Sequence, residues 1–329
     1  MADPMMPPLG WDSFLESWRL APGWLAVALL LAGGYVVLRV RGRGRSTVHP
    51  WRAVSFVLGC ALMWVCVASG IDRYSMAVFW MHMVLHLLLI MVVPVLLVLG
   101  HPITVGLEAV PAGRQARARR VMASRPLGYL LHPATGLVVY TSVIVGTHLT
   151  GFMDQMVLHP RLMTAEQVLY VVSGFLLFLP LLGEEPIRSV PGYLARFMLF
   201  LIAMIPDTLV GIVLLQATRD PFPIMAQRHP SWAPAGLTDV HTAGGLMWAG
   251  GDGLMMFVAV GLMISVVTSP SKRERMTGAW LDGVRRTVIA TEVGADPGHQ
   301  LDPDSDEAYD AYNAMVERLA AGRRDEPGQ

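Results

Sequence analysis

The chain has 329 residues, 53% of them hydrophobic and only 15% charged. That balance is too apolar for an ordinary soluble domain and indicates a polytopic membrane protein. Twenty-five basic residues offset twenty-five acidic ones, so nothing in the charge suggests a nucleic-acid binder, and function must be sought in how charge is distributed. The first predicted element is "WDSFLESWRL", which places Trp11, Phe14, Leu15 and Trp18 on one helical face. It is expected to lie as a short interfacial helix on the outer leaflet. Apolar runs long enough to span a bilayer follow at 22–40, 53–70, 78–99, 134–150, 165–182, 196–215 and 241–268. These predict an all-α bundle of about seven transmembrane helices. No basic segment of signal-peptide type precedes the first run, so that run is expected to be retained. Cys60 and Cys66 fall six residues apart in the second run, on different helix faces, which argues against a disulfide framework or a thiolate metal site.

The arginines predict the orientation. Arg39, Arg41, Arg43, Arg45 and Arg52 cluster in the first loop, Arg114, Arg117, Arg119, Arg120 and Arg125 in the third, and Arg188 and Arg196 in the fifth. Lys272, Arg273 and Arg275 follow the last span, whereas the alternate loops hold only Arg73, Arg161, Arg219 and Arg228. The basic loops are expected in the cytoplasm, with the N-terminus outside and the C-terminus inside. The chain thus divides into an outer interfacial helix (1–21), a seven-span domain (22–270) and a polar, acidic cytoplasmic tail (271–329). In the tail, Tyr309, Tyr312, Met315 and Leu319 have the spacing of a short amphipathic helix.

Depth then turns the polar residues into a map. His82 and His86, one helical turn apart, open the third span near its outer end. His148 ends the fourth, and His241 opens the seventh from outside. The outer segment "GFMDQMVLHPRLMTAEQ" holds Met153, Asp154, Met156, His159 and Met163, with Glu166 opening the fifth span. This segment is expected to be a loop. Imidazoles and thioethers together suit copper, Cu(I) above all, better than magnesium or calcium. Met91, Met198, Met255 and Met256 lie elsewhere in the spans and are read as packing. His101 and His132, each before a proline at an inner helix end, are read as structural. Asp207 and Asp252 sit inside apolar runs, where a carboxylate is a functional candidate by default. Asp207 is expected level with His86 and paired with it. Pro94 and Pro206 are expected to kink their helices, and the glycines of "TAGGLMWAGGDGLMM" to permit close helix approach.

The segments "HMVLHLLLIMVVPVLLVLGHP", "LLHPATGLVVY", "GFLLFLPLLGEEP", "TDVHTAGGLMWAGGDGLMM" and "DEAYDAYNAMVERLA" together resemble the bacterial polytopic CtaG family of cytochrome c oxidase assembly factors, in its actinobacterial branch. The resemblance implies a multi-pass plasma-membrane protein of the respiratory chain, not an enzyme, that helps copper reach a haem-copper oxidase. Its partners would be the oxidase subunits and the lipid bilayer, with no nucleic acid. It places the family's paired histidines on His82 and His86 and the aspartate before its last span on Asp239. Two positions depart from the pattern: Glu166 and Gln167 stand where relatives often carry Glu-His or His-His, and Asp239, Val240 and His241 where they often carry Asp-Gln.

The expected metal shell is therefore His82 and His86, completed from His148, His159, His241, Met153 and Met156. Asp207, Glu166, Asp154 and Asp239 are expected to support it from behind. Three rival classes stay open at this point. One is a haem carrier with His86 and His148 as axial ligands; another is a membrane enzyme using Glu166 or Asp207 with a histidine; the third is a metal-free scaffold for oxidase subunits.

Overall fold

The computed structural model describes residues 6–270 except 228, together with 272, 278, 310, 313 and 314. The tail positions Tyr309, Tyr312, Met315 and Leu319 lie outside the described residues. Contacts group the chain into two units, Met1–Gly261, which holds the bundle, and Leu262–Gln329.

The described residues are helical wherever they are regular. A short α1 (Trp11–Glu16) precedes α2 (Pro22–Arg41), α3 (Pro50–Ala68) and the short α4 (Gly70–Ser75). Next come α5 (Phe79–Leu87), a π-helical turn at Leu88–Val92 and α6 (Val93–Leu99), followed by α7 (Pro102–Ala109), α8 (Ala112–Met122) and α9 (Arg125–Leu130). The second half comprises α10 (Pro133–His148), α11 (Phe152–Leu158), α12 (Pro160–Leu182), α13 (Tyr193–Leu215) and α14 (Pro223–Ala226). It ends with α15 (Gly236–Gly245), a second π-helical turn at Leu246–Gly251 and α16 (Asp252–Thr268). Prolines open α2, α3, α7, α10 and α12, where the missing N–H costs nothing and the fixed φ favours the first turn.

Among the described residues six helices are long and apolar enough to cross a membrane, and seven if the bent pair α10–α11 counts as one span. This protein is a multi-pass membrane protein, and the span positions expected from the sequence are those observed. The third expected span is longer than the sequence reading, running with α7 over Phe79–Ala109. It is also the central one. Its apolar window is 67% buried, against 11% for α2, because α6 packs between α3 and α12 while α5 packs on α15. Cys60 and Cys66 are buried and unpaired on α3.

One expectation fails. The segment after His148 is not a loop but helix α11, which leaves α10 through a 69° bend. Phe152, Met153, Met156 and Val157 recur at helical spacing, and Met153, Met156 and Val157 are buried as α11 packs on α12 and α14.

Helix contacts close where a side chain is missing. Pro94 has no N–H to complete the ladder at Ile90, and the helix widens into its π-turn just ahead of it. There α12 crosses on Gly174: a β-carbon at that position would stand 1.9 Å from the Ile90 carbonyl oxygen. Gly211 of α13 and Gly244 of α15 meet backbone to backbone in the same manner, each within 3.0 Å of the other's carbonyl if given a β-carbon.

Candidate metal centre

Two carboxylates, one on α15 and one in the segment after α12, fix the two ends of the α5–α6 stretch. At one end, Val78 offers no side chain to cap α5. Asp239 of α15 takes that role, accepting the Phe79 N–H at 2.7 Å and the Trp80 N–H at 2.9 Å. A carboxylate there satisfies two orphan donors and sits at the positive end of the helix dipole. At the other end, Glu185 accepts the N–H groups of Ile103 (3.1 Å) and Thr104 (2.8 Å) and the Thr104 hydroxyl (2.6 Å). Burial pushes the Glu185 carboxyl above its ordinary range. His101, in the left-handed region at φ 52°, turns the chain into α7 and contacts the Arg52 guanidinium. His132 caps α10 through Nδ1, accepting the Ala134 N–H at 3.2 Å. Both therefore hold helix ends, as expected for structural histidines.

With α5 fixed, His82 and His86 project one above the other from its buried face, each 1% exposed. Glu166 of α12, also 1% exposed, faces both. Its oxygens lie 3.9 Å from His82 Nε2 and 3.7 Å from His86 Nε2. One ligand atom from each of the three residues falls within a sphere of contacts no longer than 4.8 Å. Those separations exceed a hydrogen bond, and they match what two bonds of about 2.0–2.2 Å to a shared ion would span. Both ring nitrogens of His82, and Nε2 of His86, make no hydrogen bond. Buried imidazole nitrogens without partners are costly, and metal coordination is one arrangement that satisfies them.

Behind this cluster runs a chain of hydrogen bonds that orients it. His148 Nδ1 lies 2.9 Å from the Ile144 carbonyl oxygen, which can only accept. In the uncharged ring that nitrogen therefore carries the proton, and His148 Nε2 accepts. Its partner, 3.0 Å away, is Nδ1 of His86, which must donate. The remaining nitrogen of His86, Nε2, is left as a lone pair facing Glu166. Glu166 is steadied in turn: the Tyr170 hydroxyl lies 3.0 Å from its Oε1 and 2.8 Å from Thr147 Oγ1.

The sequence-expected residues divide accordingly. His82 and His86 come together with Glu166, which moves from a supporting role to a direct one. His148 moves the other way, because its Nε2 is occupied by His86. Asp239 supports the site by holding α5. The rest are placed elsewhere: His159 is exposed, His241 Nε2 donates to the Ala217 carbonyl at 2.9 Å, and Asp154 accepts the Ile224 N–H at 3.1 Å. Met153 and Met156 are fixed and fully buried in α11 rather than held on a flexible segment.

The expected Asp207–His86 pair does not form. Asp207 lies at the level of Leu87 and Met91, around Gly251, so the depth estimate holds to within a turn. Its carboxylate instead accepts the Tyr140 hydroxyl at 2.6 Å, and His86 has already given its Nδ1 proton to His148. Asp252, the other intramembrane carboxylate, accepts the Thr208 hydroxyl at 2.6 Å.

A family model described as the cytochrome c oxidase caa3 assembly factor (Caa3_CtaG) matches residues 33–269. The chain belongs to that family. It is the family that the sequence segments resemble; the matched stretch contains every residue of the cluster and its backing chain, and this assembly-factor family sits in the bacterial plasma membrane. An uncharacterized protein of Mycobacterium leprae is 28% identical over 323 residues, and uncharacterized proteins of Mycobacterium bovis and Mycobacterium tuberculosis are each 27% identical over 328. Each alignment covers 94% of this chain but only 45–46% of the relative. The chain thus spans about half the length of the curated relatives it matches. No solved structure matches it.

Sequence reasoning missed Tyr170, Thr147 and Tyr140. Tyr170 had a signal, four residues beyond Glu166 and so on the same face of α12. It also missed Asp72, whose carboxylate accepts from Gln167 Nε2 at 2.7 Å beside the site and lies 3.8 Å from Arg19. Burial pushes the Asp72 carboxyl up to about 6.

Proposed function

We propose that this assembly-factor family member captures copper as cargo at His82, His86 and Glu166 and passes it on to cytochrome c oxidase. The observation that carries the reading is the fully buried convergence of a carboxylate with two imidazoles that leave three ring nitrogens without partners. Imidazole nitrogen suits copper, and the His148 chain presents His86 with its lone pair forward, a common arrangement behind metal-bound histidine. The arginine bias supports placing this end of the bundle at the outer face, where copper would be collected. The 3.0 Å hydrogen bond between His86 and His148 weighs against the haem alternative, since it leaves no room for an iron between the two rings. No nucleophile motif supports a membrane enzyme.

The test is copper content. Purified full-length protein loaded with copper is expected to hold one ion that His86→Ala and Glu166→Ala both lose, and oxidase from a deletion strain is expected to be copper-deficient. Protein that holds no copper while the deletion still abolishes oxidase assembly would replace this reading with that of a metal-free scaffold.

A further inference from the structure

We infer that Phe79 and Phe222 form an aromatic door between a surface cleft and the buried His82–His86–Glu166 cluster, and that a metal cation reaches the cluster through it. The inference rests on the copper reading for the identity of the cation; the route rests on geometry alone.

A shallow cleft of about 10 Å³, room for a single water-sized group, lies beside the start of α5, lined by Phe79, Phe222, Asp220, His229 and Asp239 among others. Its polar side carries the half-buried Asp220 and His229, with the buried Asp239 behind them. His229 Nε2 stands 3.2 Å from Asp239 Oδ2, and Asp220 Oδ1 accepts the Phe222 N–H at 2.8 Å. The Asp220 carboxylate and the His229 imidazole attract a cation without the convergence needed to retain it.

The inner wall of the cleft is aromatic. Phe79 is 2% exposed and Phe222 3% exposed, and their ring centroids are 4.7 Å apart. The Phe79 ring also lies nearly parallel to the His82 imidazole, 5.9 Å between centroids at 16°. One ring therefore separates the cleft from an imidazole with two unpartnered nitrogens. His86 follows directly, its ring centroid 4.0 Å from that of His82. The order from the surface inward is Asp220 and His229, Phe79 and Phe222, His82, then His86 with Glu166. Both door residues sit where local movement is easiest to accommodate: Phe79 is the first residue of α5, and Phe222 lies in the connection before the four-residue α14. A phenylalanine ring swings by a rotamer change on fast timescales, whereas His148 and Tyr170, on the far side of His86, are locked by hydrogen bonds.

Two measurements test this on full-length protein in detergent. In the first, histidine carbethoxylation by diethylpyrocarbonate is followed peptide by peptide. Phe79→Ala and Phe222→Ala are expected to raise the His82 labelling rate at least tenfold while His148 stays protected; Phe79→Leu serves if Phe79→Ala does not fold. Unchanged His82 labelling, or equal gains at His82 and His148, would overturn the door. In the second, anaerobic Cu(I) transfer from a chromophoric chelator is timed by stopped flow. Phe222→Ala should speed uptake and release by the same factor, leaving affinity unchanged, and Phe222→Trp should slow both. Uptake and release rates unaltered in both variants, or a rate change matched by a change in affinity, would overturn the route. A wild-type protein that takes up no Cu(I) would refute the copper reading, and with it the door as a metal route, while the labelling result still shows whether Phe79 and Phe222 shield His82.

Discussion

Replacing Gly174 with alanine tests whether the crossing of α12 over the central span sets the metal centre. The added β-carbon would stand 1.9 Å from the Ile90 carbonyl oxygen, 2.8 Å from its carbon and 2.7 Å from Pro94 Cγ. Two of those atoms are backbone, and the third belongs to a ring that cannot turn aside. Restoring ordinary contact requires the helices to part by roughly 1.5 Å. Overpacking of this kind costs about 1–3 kcal/mol, and the rigidity of the neighbours places this case near the upper end. For a chain of this size that corresponds to a fall of about 3–4 °C in apparent melting temperature. The same displacement is transmitted along α12. Glu166 lies eight residues before Gly174, about 12 Å along the helix axis, and its separations from His82 and His86 are 3.7–3.9 Å. Metal sites tolerate only a few tenths of an ångström in ligand distance, so copper affinity should fall at least about tenfold. Thermal melting in detergent and competition for copper against a chelator measure the two effects. Gly33→Ala, on α2 where nothing lies within 4 Å of the added carbon, is the control and should be neutral or stabilising by up to about 1 kcal/mol. A Gly174→Ala protein with wild-type melting would refute the packing argument, and one that melts early yet binds copper normally would refute the link from the crossing to the site.

Asp72 should make stability pH-dependent in a recognisable direction. Its folded-state carboxyl is raised from 3.8 to about 6, so the protonated form favours folding: the contribution is complete below 3.8 and is lost as pH rises through 6. Wild type should therefore lose up to about 3 kcal/mol relative to Asp72→Asn between pH 4 and 7, and a difference that is flat with pH would contradict the burial argument. Asp239→Ala removes both caps from α5 and should cost about 2 kcal/mol in thermal unfolding, with Asp239→Asn recovering part of it. Because Asp207 bonds Tyr140 and not His86, Asp207→Asn should keep copper affinity within about threefold of wild type, well short of the loss expected from altering a group that backs a ligand. A reporter fused after Gln329 should be cytoplasmic and one inserted at Asp154 external; the reverse would remove the case for copper capture from outside.

The spans and the His82–His86 pair were legible because each is a one-dimensional property of the chain. Hydrophobic length marks a span, and a spacing of four puts two side chains on one face. Level along the membrane was legible too, since rise per residue is constant, and Asp207 does lie within a turn of His86. Rotation of each helix about its own axis was not. It is set by contacts such as Gly174 against Ile90 and Gly136 of α10 against the Leu176 carbonyl, where a β-carbon would stand 2.5 Å away. Those contacts decide that His148 faces His86 while Asp207 faces Tyr140. The helix α11 was hidden for a different reason. Gly151 just before it and Asp154 within it read as loop chemistry, and its apolar spacing extends over only two turns.

The carboxylates show why a residue's chemistry does not by itself reveal its role. Asp239, Glu185 and Glu166 are all buried within the same bundle, at 1%, 2% and 1% exposure. Asp239 and Glu185 each accept backbone N–H groups at the start of a helix, so their charge is spent on the fold. Glu166 accepts only from a tyrosine hydroxyl and faces two imidazole nitrogens that nothing else engages. Of these three acids, the one whose oxygens are not used up by backbone donors is the one that faces the imidazoles. That accounting needs the partners as well as the sequence. It requires the two structural acids as much as the third, since without caps at both ends of the α5–α6 stretch His82 and His86 would have no fixed face to present.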